Sequence, residues 1–279
     1  MLLIGDVGGS RTEWVVLENG VSKRFKTVGV NLVHEKFSEF LKKVKNTLES
    51  YSRADQVNLY CAGLLDVPRQ RKNILNGVKK SFPVAKISIE NDLLGAARGA
   101  YQTDSGWIGI LGTGANFAFY NGKVITQRLP SLGYILGDEG SGTALGKKIL
   151  ADFARQKLPS DLEYEFRKAY KLDEATLISK VYDYAGSKAF LASFSFFLHA
   201  HLAHPYCHQL VYQAFLDHFK VIVGNYNPGI LVSYVGSIAY KFSTILEAAA
   251  SSVGVDIKSI VQSPIEGLLN YHKFQQNIY

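Results

Sequence analysis

One arrangement occurs twice in the chain and limits what it can fold into. Residues 2–7 (Leu-Leu-Ile-Gly-Asp-Val) read as a short buried strand, a glycine-rich turn follows, and Glu13 to Leu17 resumes as a second strand. Asn19-Gly20 then supplies a type I′ hairpin turn, because both residues tolerate positive φ, and a third strand runs to about Val28. The same order returns later. Trp107 to Leu111 is a strand, Gly112-Thr113-Gly114 a glycine turn, Ala115 to Tyr120 a strand, and Asn121-Gly122 leads into another. Two copies this widely spaced do not make a solenoid. They predict two related α/β domains facing each other, 1–106 and 107–279.

Between the copies, Phe37, Phe40, Leu41, Val44 and Leu48 recur at three and four, which predicts an amphipathic helix over Glu35 to Leu48. Strands at Val57 to Ala62 and Val84 to Ile89 alternate with helices from Pro68 and from Asp92. Residues 142–227 read as almost wholly helical, broken at Pro159 and Pro205, so the second domain carries a helical insertion. Strands at Ile230 to Val235 and Ile257 to Val261 flank a helix from Ser237. A final helix from Ile265 is expected to pack back on the first domain.

With 279 residues, 47% of them hydrophobic and 20% charged, the chain has ample surface to bury in two cores. Two cysteines, Cys61 and Cys207, cannot form a disulfide framework, and the opening residues carry no charged start, apolar run and cleavage site, so the cytoplasm is the expected location. No apolar run approaches the ~20 residues of a bilayer span, and no membrane partner is expected. The net charge of +7 suits nucleic acid, anionic lipid or a phosphate-bearing small ligand. Lys42, Lys43, Lys45, Arg69, Arg71, Lys72, Lys79 and Lys80 lie among helix formers without interleaved aromatics. They read as solvated helix faces, and nucleic acid is not expected.

The first glycine turn, in Asp6-Val7-Gly8-Gly9-Ser10-Arg11-Thr12, joins two strands, which excludes the dinucleotide fingerprint of a strand and a helix. Gly142-Thr143-Ala144-Leu145-Gly146-Lys147-Lys148 misses the phosphate-loop spacing by one residue. Gly8 and Gly9 allow close backbone approach, and the hydroxyls of Ser10 and Thr12 can donate to phosphate oxygens. Asp6 at the strand end could hold a hydrated magnesium ion. Alone, such a turn is commonly just a hairpin. Gly112-Thr113-Gly114 in the equivalent place allows two turns to clasp one polyphosphate.

This layout resembles the superfamily of sugar kinases, actin and the heat-shock ATPases, in which paired ribonuclease-H-like domains hold ATP in an interdomain cleft. Its landmarks are most similar to the BadF/BadG/BcrA/BcrD ATPase family and its N-acetylglucosamine kinase branch. They run in order through the first phosphate segment, Gly29-Val30-Asn31, Cys61-Ala62-Gly63, Glu90-Asn91-Asp92, Gly112-Thr113-Gly114-Ala115-Asn116, Gly133-Tyr134, Gly137-Asp138-Glu139-Gly140-Ser141, Gly236-Ser237 and Pro264-Ile265-Glu266-Gly267. Ser10 stands where threonine is usual, Arg11 where lysine is, and Tyr134 where the kinase branch often carries tryptophan. The resemblance implies ATP and Mg²⁺ as cofactors and a small sugar as partner, with a homodimer as the assembly to test. Gly236 and Ser237 would hold adenosine, and Asn31, Asn91, Gly133, Tyr134 and Asp138 the sugar.

Phosphoryl transfer to a sugar hydroxyl needs a carboxylate near that hydroxyl. Asp92, between strand and helix, is the candidate base; the plainer reading makes it a helix N-cap. The plainer reading of Gly137 to Ser141 is a loop capping the helix from Gly142. His199, His201, His204, Cys207 and His208 include metal-ligand types without four-ligand spacing and read as interhelical surface histidines. Two other functions compete. An activator of a dehydratase or reductase would hold an iron–sulfur cluster through cysteines near and after the second turn, and Trp107 to Tyr206 contains none. A non-catalytic nucleotide- or sugar-binding regulator would keep the turns and lose the base.

Overall fold

The computed structural model describes residues 1–30, 32, 36–64, 67–183, 186–226 and 229–275. The first sheet holds β1 (Leu2–Val7), β2 (Arg11–Glu18), β3 (Val21–Val28), β4 (Gln56–Cys61) and β5 (Lys86–Asn91), with helices α1 (Phe37–Leu48), α2 (Pro68–Ser81) and α3 (Asp92–Tyr101) between and after the later strands. The second sheet begins with β6 (Gly106–Leu111), β7 (Ala115–Tyr120) and β8 (Ile125–Arg128). The insertion follows as α4 (Gly133–Leu136), α5 (Gly142–Ala154), α6 (Ser160–Ala169), α7 (Glu174–Tyr182), α8 (Ser187–Ser193), α9 (Ser195–Ala200) and α10 (Pro205–Asn225). β9 (Leu231–Val235), α11 (Ser237–Lys241), α12 (Ser243–Ser251), β10 (Asp256–Val261) and α13 (Ile265–Gln275) complete the chain.

The first sheet has the order β3-β2-β1-β4-β5 and the second, read from its other edge, β8-β7-β6-β9-β10. The repeat in the sequence is therefore a repeat of topology. In the first sheet β1 pairs antiparallel with β2 and parallel with β4, so β1, β4 and β5 end side by side at Val7, Cys61 and Asn91. The Asn19-Gly20 turn has φ of 49° and 79°, joining Glu18 to its partner Val21 as a two-residue loop requires.

Two compact units result. One comprises Met1–Gly106, Phe119–Thr126 and the segment from Ser263; the other comprises Trp107–Ala118 and Gln127–Gln262. In the first, α1 buries Phe37, Phe40, Val44 and Leu48, its three-and-four stripe, and Trp14 is buried with its indole donating to Thr27 Oγ1 at 2.9 Å. On the other face α13 meets α3, where Gly99 contacts Pro264 and Gln102 Nε2 donates to the Gly267 carbonyl at 3.0 Å. The second unit's core is larger and rich in phenylalanine, with Phe166, Phe194, Phe215 and Phe219 buried where the insertion helices meet. Among the described residues no helix is long and apolar enough to cross a membrane.

Several local expectations need correction. β2 begins at Arg11, earlier than the apolar pattern indicates, so the first glycine turn is only Gly8-Gly9-Ser10. β5 starts and ends two residues later than its apolar run, because Val84 is exposed and the strand continues through Glu90 and Asn91. Arg71 leaves the solvated face assigned to it and donates to the Ile89 carbonyl at 3.0 Å. His204 serves as the N-cap of α10, Nδ1 accepting from Tyr206 N–H at 3.1 Å, with Nε2 3.3 Å from Asp161.

Candidate functional site

In the first unit the glycine turn closes through Gly8 N–H donating to the Arg11 carbonyl at 3.1 Å. It is braced from outside the hairpin: Val30 N–H donates to the Gly8 carbonyl at 3.0 Å and Gly29 N–H to that of Ser10 at 3.3 Å. Any side chain on Gly29 would overlap the Gly8 carbonyl and the Arg11 amide, so glycine there is a packing requirement. Gly9 and Ser10 are exposed at the tip. Thr12 is fully buried and its hydroxyl has no partner, so Ser10 is the hydroxyl that the turn presents to solvent. Asn31 lies outside the described residues.

Asp6, one residue before the end of β1, lies directly across from Glu13 on β2 and beside Tyr60 on β4. Burial pushes its carboxyl up to about 7, the charges of Asp92 and Glu13 add to the push, and Arg11 pulls the other way. Burial also tends to raise Glu13, but hydrogen bonds from Ser263 and Lys26 outweigh it and hold that group below the usual range. Buried Cys61, at the adjacent strand end, is pushed up by burial and by the same two aspartates, which suits an inert core thiol. Among the described residues no three metal-ligand side chains converge. A carboxylate raised by burial and further by two neighbouring acids nonetheless fits an outer-sphere Mg²⁺, whose charge would offset the repulsion among them.

The cap at the start of α3 is Asn91, not Asp92. Asn91 Oδ1 accepts from Leu94 N–H at 2.8 Å, and Asp92 is the first helical residue, its Oδ1 2.9 Å from Leu93 N. Asp92 therefore stands at the C-terminal edge of the parallel strands, within the electrostatic reach of Asp6.

In the second unit, Gly112 N–H donates to the Gly114 carbonyl at 3.0 Å, while Gly142 and Thr143 at the start of α5 donate to the carbonyls of Gly112 and Thr113 at 2.9 and 3.2 Å. Ser141 caps α5, accepting from Ala144 N–H at 3.2 Å, as the plainer reading of its loop expects. Gly236, at φ 131°, packs so closely on the Leu111 carbonyl that no side chain fits, which brings Ser237 and α11 beside the turn. A Cβ on Gly112 would meet nothing within 4 Å. That open space over half-buried backbone is room for a phosphate group.

Of the remaining sugar candidates, Asp138 lies against the same turn. Asp138 has φ 60°, its side chain is 3% exposed, and Oδ1 accepts from Ala115 N–H at 3.0 Å. Gly133 has φ 71° and opens the short helix α4. The Tyr134 hydroxyl pairs with Ser187 Oγ at 2.9 Å, and its carbonyl accepts from Lys147 Nζ. A cavity of about 240 Å³ opens beside Asp138, with Asn116, Phe117, Leu132, Glu139 and Val221 among its walls. Lys188, 3.2 Å from Asp138 Oδ2, is absent from the sequence-derived set. No periodicity or motif links two residues so far apart in the chain.

No family model matches the chain, and no curated protein does. Solved structures do. A candidate N-acetylglucosamine kinase from Porphyromonas gingivalis is 32% identical over 99% of this chain and 100% of its own, with a TM-score of 0.91. A second candidate N-acetylglucosamine kinase, from Chromobacterium violaceum, is 18% identical over 97% of this chain and 98% of its own, with a TM-score of 0.72. A repressor/kinase-family glucokinase from Streptomyces griseus, in complex with glucose and AMPPNP, is 13% identical over 99% of both chains, at 0.59. The last two show the fold alone. The first spans both chains from end to end at 32% identity, and on that ground the chain belongs to the family of the P. gingivalis protein, built on the two-domain actin-like ATPase fold of sugar kinases.

Proposed function

We propose that the chain is an ATP-dependent kinase of the BadF/BadG/BcrA/BcrD type that phosphorylates a hydroxyl of N-acetylglucosamine or a related amino sugar, with Asp92 as general base. The observation that carries this reading is the division of labour at the start of α3: Asn91 takes the cap, leaving Asp92 beside Asp6 at the strand ends. Gly8, Gly9 and Ser10, with Gly112, Thr113, Gly114, Gly236 and Ser237, supply backbone and hydroxyl groups for the nucleotide. Mg²⁺, when bound near Asp6, would neutralise charge on the phosphate oxygens.

Asp138 and Tyr134 orient the sugar so that its hydroxyl oxygen attacks the γ-phosphorus. As that bond forms, the bond to the β-phosphate oxygen breaks, ADP leaves with the electron pair, and the hydroxyl proton passes to Asp92. General-base help is typically worth about 10²–10⁴-fold, so Asp92→Asn is expected to lower sugar-dependent turnover by about that range with ATP affinity unchanged. ADP release measured with a panel of hexoses and N-acetylhexosamines tests both statements. Failure of the wild-type protein on every sugar overturns the kinase assignment, and near-normal turnover by Asp92→Asn overturns the assigned base.

A further inference from the structure

Asp138 is the most deeply buried acid of the second unit's site, and its two oxygens are treated differently. Oδ1 is tied to the Ala115 amide at 3.0 Å. Oδ2 is buried and receives no hydrogen bond, although Lys188 Nζ lies only 3.2 Å away. The ammonium is close enough to balance the charge and too far out of line to donate, so the pair is held by Coulomb attraction and one acceptor position stays open. Both groups rest on the glycine turn, where a Cβ on Gly114 would come within 2.9 Å of each. One residue earlier, Ser187, buried at 1% exposure, joins its hydroxyl to that of Tyr134 at 2.9 Å. The first two residues of α8 therefore brace both Tyr134 and Asp138.

We propose that Lys188 is a positioning residue of the acceptor-sugar site, fixing the buried Asp138 carboxylate so that Oδ2 accepts a sugar hydroxyl. The inference rests on the sugar-kinase reading and adds to it a residue that no motif contains. A buried carboxylate is tolerated when a cation compensates it, and a carboxylate with one oxygen bonded to backbone and the other merely charge-paired has its orientation set before the ligand arrives. A neutral hydroxyl is the group that fits, because it donates to Oδ2 without displacing the ammonium. Phosphate would instead compete with Asp138 for Lys188.

Lys188→Met keeps the length of the side chain and removes its charge; Lys188→Arg keeps the charge. With the sugar that the wild-type protein phosphorylates, Lys188→Met is expected to raise the sugar KM about ten-fold or more, while ATP affinity, measured by calorimetry without sugar, stays within about two-fold. Lys188→Arg should recover most of the loss. In an Asp138→Asn background the charge to be paired is gone, so adding Lys188→Met should raise the sugar KM little further and should restore thermal stability relative to Lys188→Met alone. An unchanged sugar KM in Lys188→Met overturns the proposal. So does a loss of ATP affinity in its place, which would make Lys188 a phosphate ligand. A wild-type protein that phosphorylates no sugar overturns the kinase reading and this inference with it, whereas wild-type turnover with an unaffected Lys188→Met overturns the inference alone.

Discussion

Gly29 and Gly112 both flank a turn, yet they are glycine for opposite reasons. A Cβ on Gly29 would run into the Gly8 carbonyl and the Arg11 amide, backbone atoms that cannot step aside, whereas one on Gly112 would enter open space. Gly29→Ala should therefore cost stability, on the order of 1–3 kcal/mol for a forced backbone shift, and lower the melting temperature. Gly112→Val should melt like the wild type and lose at least about ten-fold in ATP affinity, because its side chain occupies the place assigned to phosphate. Parallel thermal melts and calorimetric ATP titrations separate the two; a destabilised Gly112→Val with normal ATP binding would contradict the assignment. The sequence shows both glycines as punctuation and does not distinguish them, since the difference lies in what faces each Cα across the fold. Lys188 is illegible for the same reason: its partner Asp138 is three helices away in the chain, α5, α6 and α7 lying between, and adjacent only in space.

At the level of elements, the start of α3 shows how a small boundary error changes a functional reading. The apolar run of β5 ends at Ile89, but the strand continues through Asn91, pairing Asn91 with Cys61 of β4, and this places Asn91 at the cap and Asp92 inside the helix. A polar strand end is hard to read because its pairing depends on a neighbour distant in sequence, not on its own hydropathy. Helix positions were more legible: the three-and-four stripe of α1, Pro68 and Pro205 at first helical positions, and Ser141 as a cap are local signals that the fold obeys. The family resemblance points Asn91 at the sugar, and its cap makes a direct test possible. Asn91→Ala should lose about 0.5–2 kcal/mol of stability through the missing bond to Leu94 N–H, and Asn91→Ser should keep most of it. If Asn91 also touches the sugar, Asn91→Ser will raise the sugar KM at near-normal stability. A KM that follows stability in both variants leaves Asn91 as a cap and nothing more.

Across the molecule, each unit is locked by a buried histidine–tyrosine pair that the sequence does not announce, because neither histidine has its tyrosine nearby in the chain. In the first unit Arg98 Nη1 donates to the Tyr60 hydroxyl at 3.2 Å, which leaves the Tyr60 proton for His272 Nε2 at 2.9 Å. In the second, His218 Nε2 lies 2.9 Å from the Tyr234 hydroxyl, and the ring also bonds the Glu139 backbone. Both rings are neutral in this arrangement. Burial, joined by the Arg98 charge for His272, lowers each histidine from 6.5 to about 4; for His218 the Glu139 bond works the other way but does not prevail. The unfolded chain takes up these protons near pH 6.5 and the folded chain only near 4, so in between the unfolded state binds more protons and each pair loses stability as the pH falls, by up to roughly 3 kcal/mol. Above pH 6.5 the penalty is absent. Asp6, raised to about 7, acts with the opposite sign over the same range, because its folded form holds a proton that the unfolded form has released. The wild-type slope is thus a sum of opposing contributions, and the decisive quantity is the difference between proteins. His272→Gln and His218→Gln, whatever each costs at pH 7, should each lose less stability than the wild type between pH 6.5 and 4.5, and the double variant should lose least, as read by denaturant unfolding at fixed ionic strength. Parallel profiles for wild type and variants would mean that the rings already carry protons in the fold, and the assigned direction of both hydrogen bonds would then be wrong.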